Sequence, residues 1–319
     1  MILDAFLILL GLAVLLVGGD LLVRGAVGLA TTMRIPPLLV SLTIIAFGTS
    51  APELVVSVTS VLEHESGIAI GNIIGSNIAN VFLVLGLPAL IYPMSAHVDG
   101  LRRHGVAMLV ATAAFVAIAY GYGALDRVTG GALFAGIILY VLFLAYMARA
   151  SRGHDPVIDE VSEYTQGEKS NVGATLLYVL AGLIGLPVGA HLLVTSGGSL
   201  AADLGVRPEV IGLTIIAFGT SLPELATVLA AAFHKKSDVA IGNIVGSNIF
   251  NILAVGGVAG LVGRAPFDPA SLSLDVPVMT VATLALAAYV FGRRDIGRLS
   301  GLLFVIAYGG FLAALTLGH

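Results

Sequence analysis

Residues 42–54 read LTIIAFGTSAPEL, and residues 213–225 read LTIIAFGTSLPEL. Both are apolar runs that end in a proline and a single glutamate. A shift of 171 residues places 36–80 on 207–251 without a gap, and 24 of those 45 positions are identical. Weaker similarity extends back to Gly18, which falls on Gly189. The chain is one unit, duplicated.

The composition sets the solvent for that unit. Of 319 residues, 58% are hydrophobic and 11% charged, with a mean hydropathy of +1.03. A soluble domain is about 45–50% apolar and about 25% charged, so the chain reads as an all-α polytopic membrane protein. Its net charge of −4 says little about partners, because the charges lie mostly between apolar runs. Nothing indicates a nucleic-acid partner; the lipid bilayer and inorganic cations are the expected ones. Cysteine is absent, which excludes disulfides and thiolate chemistry. The N-terminal run MILDAFLILLGLAVLLVGG lacks a basic leader and reads as a retained first span.

A membrane helix needs roughly 20 mostly apolar residues. Ten segments qualify, near 3–23, 38–62, 68–92, 104–122, 129–148, 173–193, 209–233, 239–262, 275–292 and 299–317. EHES (63–66) and HKKSD (234–238) are short polar turns that make hairpins of spans 2–3 and 7–8. With these spans, twelve of the fifteen Lys and Arg residues fall on one side and only Arg127, Arg207 and Arg264 on the other. The basic side is expected to be cytoplasmic, with both termini outside and the linker 151–171 inside. The organisation is then 1–150 as a first five-helix repeat, the linker, and 172–319 as a second, in the plasma membrane. Five is odd, so the second copy enters the membrane upside down. Two inverted five-helix repeats with a binding site between them are a recurring transporter design.

The chemistry lies in the duplicated stretch. Glu53 falls about mid-way along span 2 and Glu224 takes the matching place in span 7. A carboxylate at membrane depth costs on the order of 2.5–3.5 kcal/mol on insertion scales, which marks it as functional. Pro52 and Pro223 cannot donate a backbone N–H, so carbonyls near Gly48 and Gly219 are expected to be free. Thr49 and Thr220 precede their glutamates by four positions and are expected on the same helix face, with Ser50 and Ser221 nearby. GNIIGSNIAN (71–80) recurs as GNIVGSNIFN (242–251). It sets Asn72, Ser76 and Asn80, and then Asn243, Ser247 and Asn251, in a polar stripe. The donors are all oxygen. Soft metals prefer sulfur and imidazole, whereas calcium takes six to eight oxygens in flexible geometry. Sodium is of similar size and accepts the same oxygens, so the cavity is expected to hold Ca²⁺ or several Na⁺ as transported ions, with no cofactor.

At GTSAPE with GNIIGSNIAN, and GTSLPE with GNIVGSNIFN, the chain resembles the cation/calcium antiporter superfamily, particularly its sodium/calcium exchanger branch. The resemblance implies a ten-helix inverted-repeat exchanger in which spans 1 and 6 slide past a more fixed core. It assigns calcium to the Glu53 and Glu224 carboxylates and the Thr49 and Thr220 carbonyls. It assigns sodium to the Ala46 carbonyl with Ser76 and the Ala217 carbonyl with Ser247, and lines the centre with Asn80 and Asn251. Some relatives carry an aspartate where this chain has Asn251.

Calcium/proton antiport through the same glutamates is the alternative to sodium coupling. A non-transporting membrane protein would be expected to carry a sizeable extramembrane domain, and an enzyme would need a nucleophile–base pair or redox centre; the sequence offers neither. Asp20, which the shift pairs with His191, reads as a membrane-edge charge. Lys235, Lys236, His64 and the Arg102-Arg103-His104 cluster read as interfacial anchors.

Overall fold

The computed structural model of the chain describes residues 2–150, 172–204 and 219–317. The linker 151–171 and residues 205–218, which include Ala217, lie outside the described residues. Helix α1 (Ile2–Met33) is followed by a bent pair, α2 (Pro37–Thr49) and α3 (Ala51–Leu62), then by α4 (Ser66–Ile91), α5 (Leu101–Gly121) and α6 (Arg127–Ala150). The second half holds α7 (Val172–Asp203), α8 (Leu222–Phe233), α9 (Ser237–Val262), α10 (Ser271–Gly292) and α11 (Arg298–Leu317). Among the described residues, eight helices are long and apolar enough to cross a bilayer, and the bent α2–α3 pair makes a ninth. The short apolar α8 carries the end of the expected seventh span.

The most apolar span is not the most buried. The spanning window of α1 has a mean hydropathy of 2.6 and is 33% buried, whereas α4 and α9, at 1.8 and 1.7, are 83% and 78% buried. In lipid, apolar side chains gain nothing by leaving the solvent, so polar groups and small residues drive helix association. The two helices with the GN-x-x-GSN motif therefore occupy the centre, and α1, α6, α7 and α11 form the lipid-facing shell.

The two halves meet through exchanged equivalents. A Cβ added at Gly11 of α1 would meet the Gly189 carbonyl of α7 at 2.8 Å, and one added at Gly182 would meet the Gly18 carbonyl at 2.8 Å. The shift of 171 carries Gly11 to Gly182 and Gly18 to Gly189, so these are one contact made twice. Their order along the chain makes α1 and α7 antiparallel. Four two-residue strands repeat the exchange. β1 (Met94–Ser95) pairs with β4 (Asp295–Ile296), and β2 (Ala124–Leu125) pairs with β3 (Ala265–Pro266). The shift carries β1 to β3 and β2 to β4. Each pair joins loops that the charge bias placed on the same side.

The hairpin turns repeat as backbone rather than as side chain. His64 and Lys235, at matching positions, adopt φ of 64° and 56°. The next N–H bonds back across the turn both times, Glu65 to Ser60 O and Lys236 to Ala231 O, each at 2.8 Å. This is the left-handed helix end that satisfies orphan carbonyls.

His104 corrects the sequence reading. It is 1% exposed, with Tyr140 Oη 3.2 Å from its Nδ1, and is a core residue rather than an interfacial anchor. Arg102 stays exposed and donates to the Phe291 carbonyl at 2.7 Å.

Candidate functional site

The first motif forms a break in a helix. Ser50 has φ −85° and ψ 3°, and α2 and α3 meet there at 41°. Pro52 lies in the first turn of α3, where its missing N–H has no helical partner to lose. The interruption therefore falls at Ser50 instead of at a carbonyl freed within a continuous helix. Ser50 N–H still reaches Ala46 O at 3.1 Å. Glu53 sits in the first turn of α3, at an end whose N–H groups favour negative charge. The second motif copies the geometry. Ser221 has φ −87° and ψ 1°, and Pro223 and Glu224 lie in the first turn of α8.

The break corrects a second expectation. Thr49 and Glu53 do not share one continuous helix face, because the bend comes between them. The Thr49 hydroxyl instead lies 3.4 Å from Asn243 Oδ1 and from Ser247 Oγ on α9, and 3.4 Å from Ala46 O. Ala46 packs on the same helix, since a Cβ added at Gly246 would meet Ala46 Cβ at 2.6 Å. The contacts thus join Ala46 to the neighbourhood of Ser247, in the other half, where the resemblance paired it with Ser76. Thr220 is half-buried, and Ser76 is buried on α4.

Glu53 is 1% exposed and Glu224 is fully buried. Ser50, three residues before Glu53, brings the first motif against the second motif's acid. Ser50 donates to Glu224 Oε1 at 3.4 Å, directly linking the halves. Asn72 braces Glu53 from behind, with Nδ2 donating to the Glu53 carbonyl at 3.0 Å and to Ser57 Oγ at 2.9 Å. Asn80 Nδ2 donates to Asn248 Oδ1 at 3.0 Å, tying α4 to α9.

What remains is a set of unpartnered polar atoms in which acceptors outnumber donors, the donors being the Nδ2 groups of Asn243, Asn248 and Asn251. Both oxygens of Glu53, Oε2 of Glu224, Oδ1 of Asn77, Asn80 and Asn251, and Ser221 Oγ are buried with no hydrogen-bond partner among the described residues. A buried polar group left unpaired costs about 1–3 kcal/mol, more if charged. With both acids ionised the set carries two negative charges, with no cation paired to them among the described residues, and a hard cation would satisfy it. Among the described residues no group of three or more His, Cys, Asp or Glu side chains is placed to hold a metal. The acceptors are instead supplied by amides and hydroxyls around two acids.

Both Asn80 and Asn251 start a π-helical turn, over Asn80–Leu85 and Asn251–Val255. Such turns are frequent at functional sites, and no residue type announces them in sequence. Ser57 also escaped the sequence reading. The repeat has Val228 in its place, so a search for duplicated polar residues passes over it. Asp20, read from the sequence as a membrane-edge charge, pairs with Arg24 at 2.8 Å and with His234 at 2.5 Å.

The chain is similar to known proteins over almost its whole length. A family model described as sodium/calcium exchanger protein matches residues 3–149 and again 174–317. The chain is 32% identical over 97% of each length to the sodium/calcium exchanger MaX1 of Methanosarcina acetivorans. It is 35% identical to the inner membrane protein YrbG of Escherichia coli, covering 99% of this chain and 97% of that one. Among solved structures, the sodium-calcium exchanger NCX_Mj superposes with a TM-score of 0.83 at 32% identity, covering 99% of both chains.

Proposed function

This chain belongs to the sodium/calcium exchanger protein family, and from that membership we propose that it exchanges Ca²⁺ for Na⁺ by alternating access at a midplane site. The observation that carries the reading is the pair of buried acids, Glu53 and Glu224, linked across the halves through Ser50 and surrounded by unpartnered oxygens. Their combined charge of −2 is neutralised by one Ca²⁺ or two Na⁺. With Asn80 and Asn251 both neutral, a third sodium would carry net charge. The membrane potential would then drive exchange by roughly 2.3 kcal/mol per charge per 100 mV.

In this reading the Glu53 and Glu224 carboxylates hold calcium together with the Thr49 and Thr220 carbonyls. Sodium uses the Ala46 carbonyl and the Ser247 hydroxyl, a pairing supported by the position of Thr49 between them. Ser76 belongs to a matching sodium site, and Asn80 and Asn251 line the centre. Ser50, Ser221, Asn72 and Asn243 position these groups, and Pro52 and Pro223 fix the helix starts.

The architecture proposed is ten spans in two inverted repeats, 1–150 and 172–319, with linker 151–171 in the cytoplasm and both termini outside the plasma membrane. The antiparallel α1–α7 crossing and the exchanged strand pairs support it. So does the glycine-lined α1–α7 contact at the edge of the bundle, which suits two helices that move together past α4 and α9.

The test is ⁴⁵Ca uptake into liposomes loaded with sodium, potassium or acid. Uptake driven by an outward sodium gradient is expected. Uptake that follows only the proton gradient would replace sodium by protons as the coupling ion, and uptake indifferent to every gradient would reject antiport.

A further inference from the structure

Where β2 pairs with β3, a cavity of about 370 Å³ opens between the start of α6 and the end of α9. Asp126, Arg127, Val128, Val262, Gly263 and Arg264 line it. Backbone holds its walls in place. The register Leu125↔Ala265 sets the two lining segments side by side. A Cβ added at Gly130 would meet Gly257 O at 2.7 Å, and one at Gly260 would meet Asp126 O at 2.8 Å, so the helices touch without side chains between them.

The charges in this cavity are unequal. Asp126 caps α6, its Oδ1 accepting the N–H groups of Val128 and Thr129 at 2.9 Å each and the Thr129 hydroxyl at 3.1 Å. Its Oδ1 is committed to the helix, and the pocket sets two guanidinium groups against this one carboxylate. Arg127 and Arg264 have no ion pair among the described residues. They are two of the three basic residues on the face that the charge bias assigns to the outside. On a face so poor in cations, both meet in one pocket at the level where the spans end. Val128 is 71% exposed beside them and Val262 36%.

We propose that this pocket binds an anionic phospholipid, Arg127 and Arg264 gripping the headgroup phosphate while Val128 and Val262 lie against the lipid's apolar carbons. Guanidinium forks match phosphate oxygens in geometry and charge. The volume is at the small end of the roughly 300–1,000 Å³ range of ligand sites, enough for a headgroup. None of the pocket's lining residues belongs to the proposed exchange site. Its test does not depend on exchange.

The experiment is native mass spectrometry with thermal melts of the full chain in detergent, with phosphatidylglycerol, phosphatidylcholine or inorganic phosphate added. Phosphatidylglycerol is expected to stay bound and raise the melting temperature, and the other two to do neither. Arg127→Ala with Arg264→Ala is expected to weaken phosphatidylglycerol roughly tenfold to thirtyfold, at about 1 kcal/mol per basic residue. Arg298→Ala, which the shift of 171 matches to Arg127 on the opposite face, keeps the effect. Undiminished binding by the double variant overturns the proposal. An equal loss in Arg298→Ala does so too, as does protection by inorganic phosphate alone. If the double alanine variant melts early in phosphatidylcholine, Arg127→Lys with Arg264→Lys decides. That pair keeps both charges but loses the forked contacts, and is expected to bind phosphatidylglycerol less tightly than the parent and more tightly than the double alanine variant; binding equal to the parent overturns the assignment.

Discussion

The hydroxyl of Ser50 donates to Glu224 across 174 residues of chain, at 3.4 Å. One motif's helix break thereby supplies a partner to the other motif's acid. Ser221, at the matching position, has no described partner for its own hydroxyl. The repeat is symmetric in sequence and unequal in hydrogen bonding.

Ser50→Ala and Ser221→Ala are accordingly expected to differ. The first removes a bond to a buried carboxylate and should lower stability without calcium by about 1.5–3 kcal/mol. The second removes a hydroxyl with no described partner and should change it little. Chemical denaturation in chelator reads the difference, and equal losses would contradict the asymmetry.

Glu53→Gln is expected to weaken calcium binding by roughly a hundredfold or more, because removing one member of a buried charge set costs about 3–5 kcal/mol. The same change removes one of the two buried charges. The melting temperature in chelator should rise while the stabilisation by calcium falls. Titration calorimetry and paired melts check both signs.

Gly75 and Gly246 hold equivalent places on α4 and α9 but different surroundings. A Cβ added at Gly75 meets nothing within 4 Å among the described residues, whereas one at Gly246 meets Ala46 Cβ at 2.6 Å and the Leu42 Cα at 3.1 Å. Gly246→Ala should destabilise the fold by about 1–3 kcal/mol through overpacking, and Gly75→Ala should be neutral. Melts of the two variants decide it, and an equal penalty would count against the packing described.

Asp126 gives a pH dependence outside the membrane. The Thr129 and Val128 N–H groups, the Thr129 hydroxyl and the Arg264 charge hold its carboxyl below the ordinary range. A carboxyl depressed on folding stabilises above its unfolded value, near 3.9, and loses that contribution as pH falls through the folded one. Asp126→Asn should therefore lower stability at neutral pH, with the gap to the parent closing below about pH 4. A gap independent of pH would assign the effect to geometry rather than charge.

Much of this was legible in the chain. The duplicated run named both glutamates. The polar stripe named Asn72, Ser76 and Asn80 with their counterparts. Parity alone required the second copy to be inverted, which the antiparallel crossing of Gly11 on Gly189 and Gly18 on Gly182 supports. Less legible was anything that depends on where a strained backbone yields. Pro52 predicts a lost hydrogen bond four residues back, yet the helix breaks at Ser50 and starts again, which puts the proline in a first turn. Thr49 consequently turns from its own glutamate toward Asn243 and Ser247.

Sequence by itself determined the membrane solvent and the duplication, and singled out the two acids as candidates, because these readings follow from composition, period and the cost of charge in lipid. Only the tertiary structure decided that Ser50 serves Glu224, that Ala46 neighbours Ser247, and that α4 and α9 fill the centre while the more apolar α1 lies outside. Those outcomes depend on which buried donor finds which acceptor across the two halves. Residue spacing along one strand of chain carries no record of that choice.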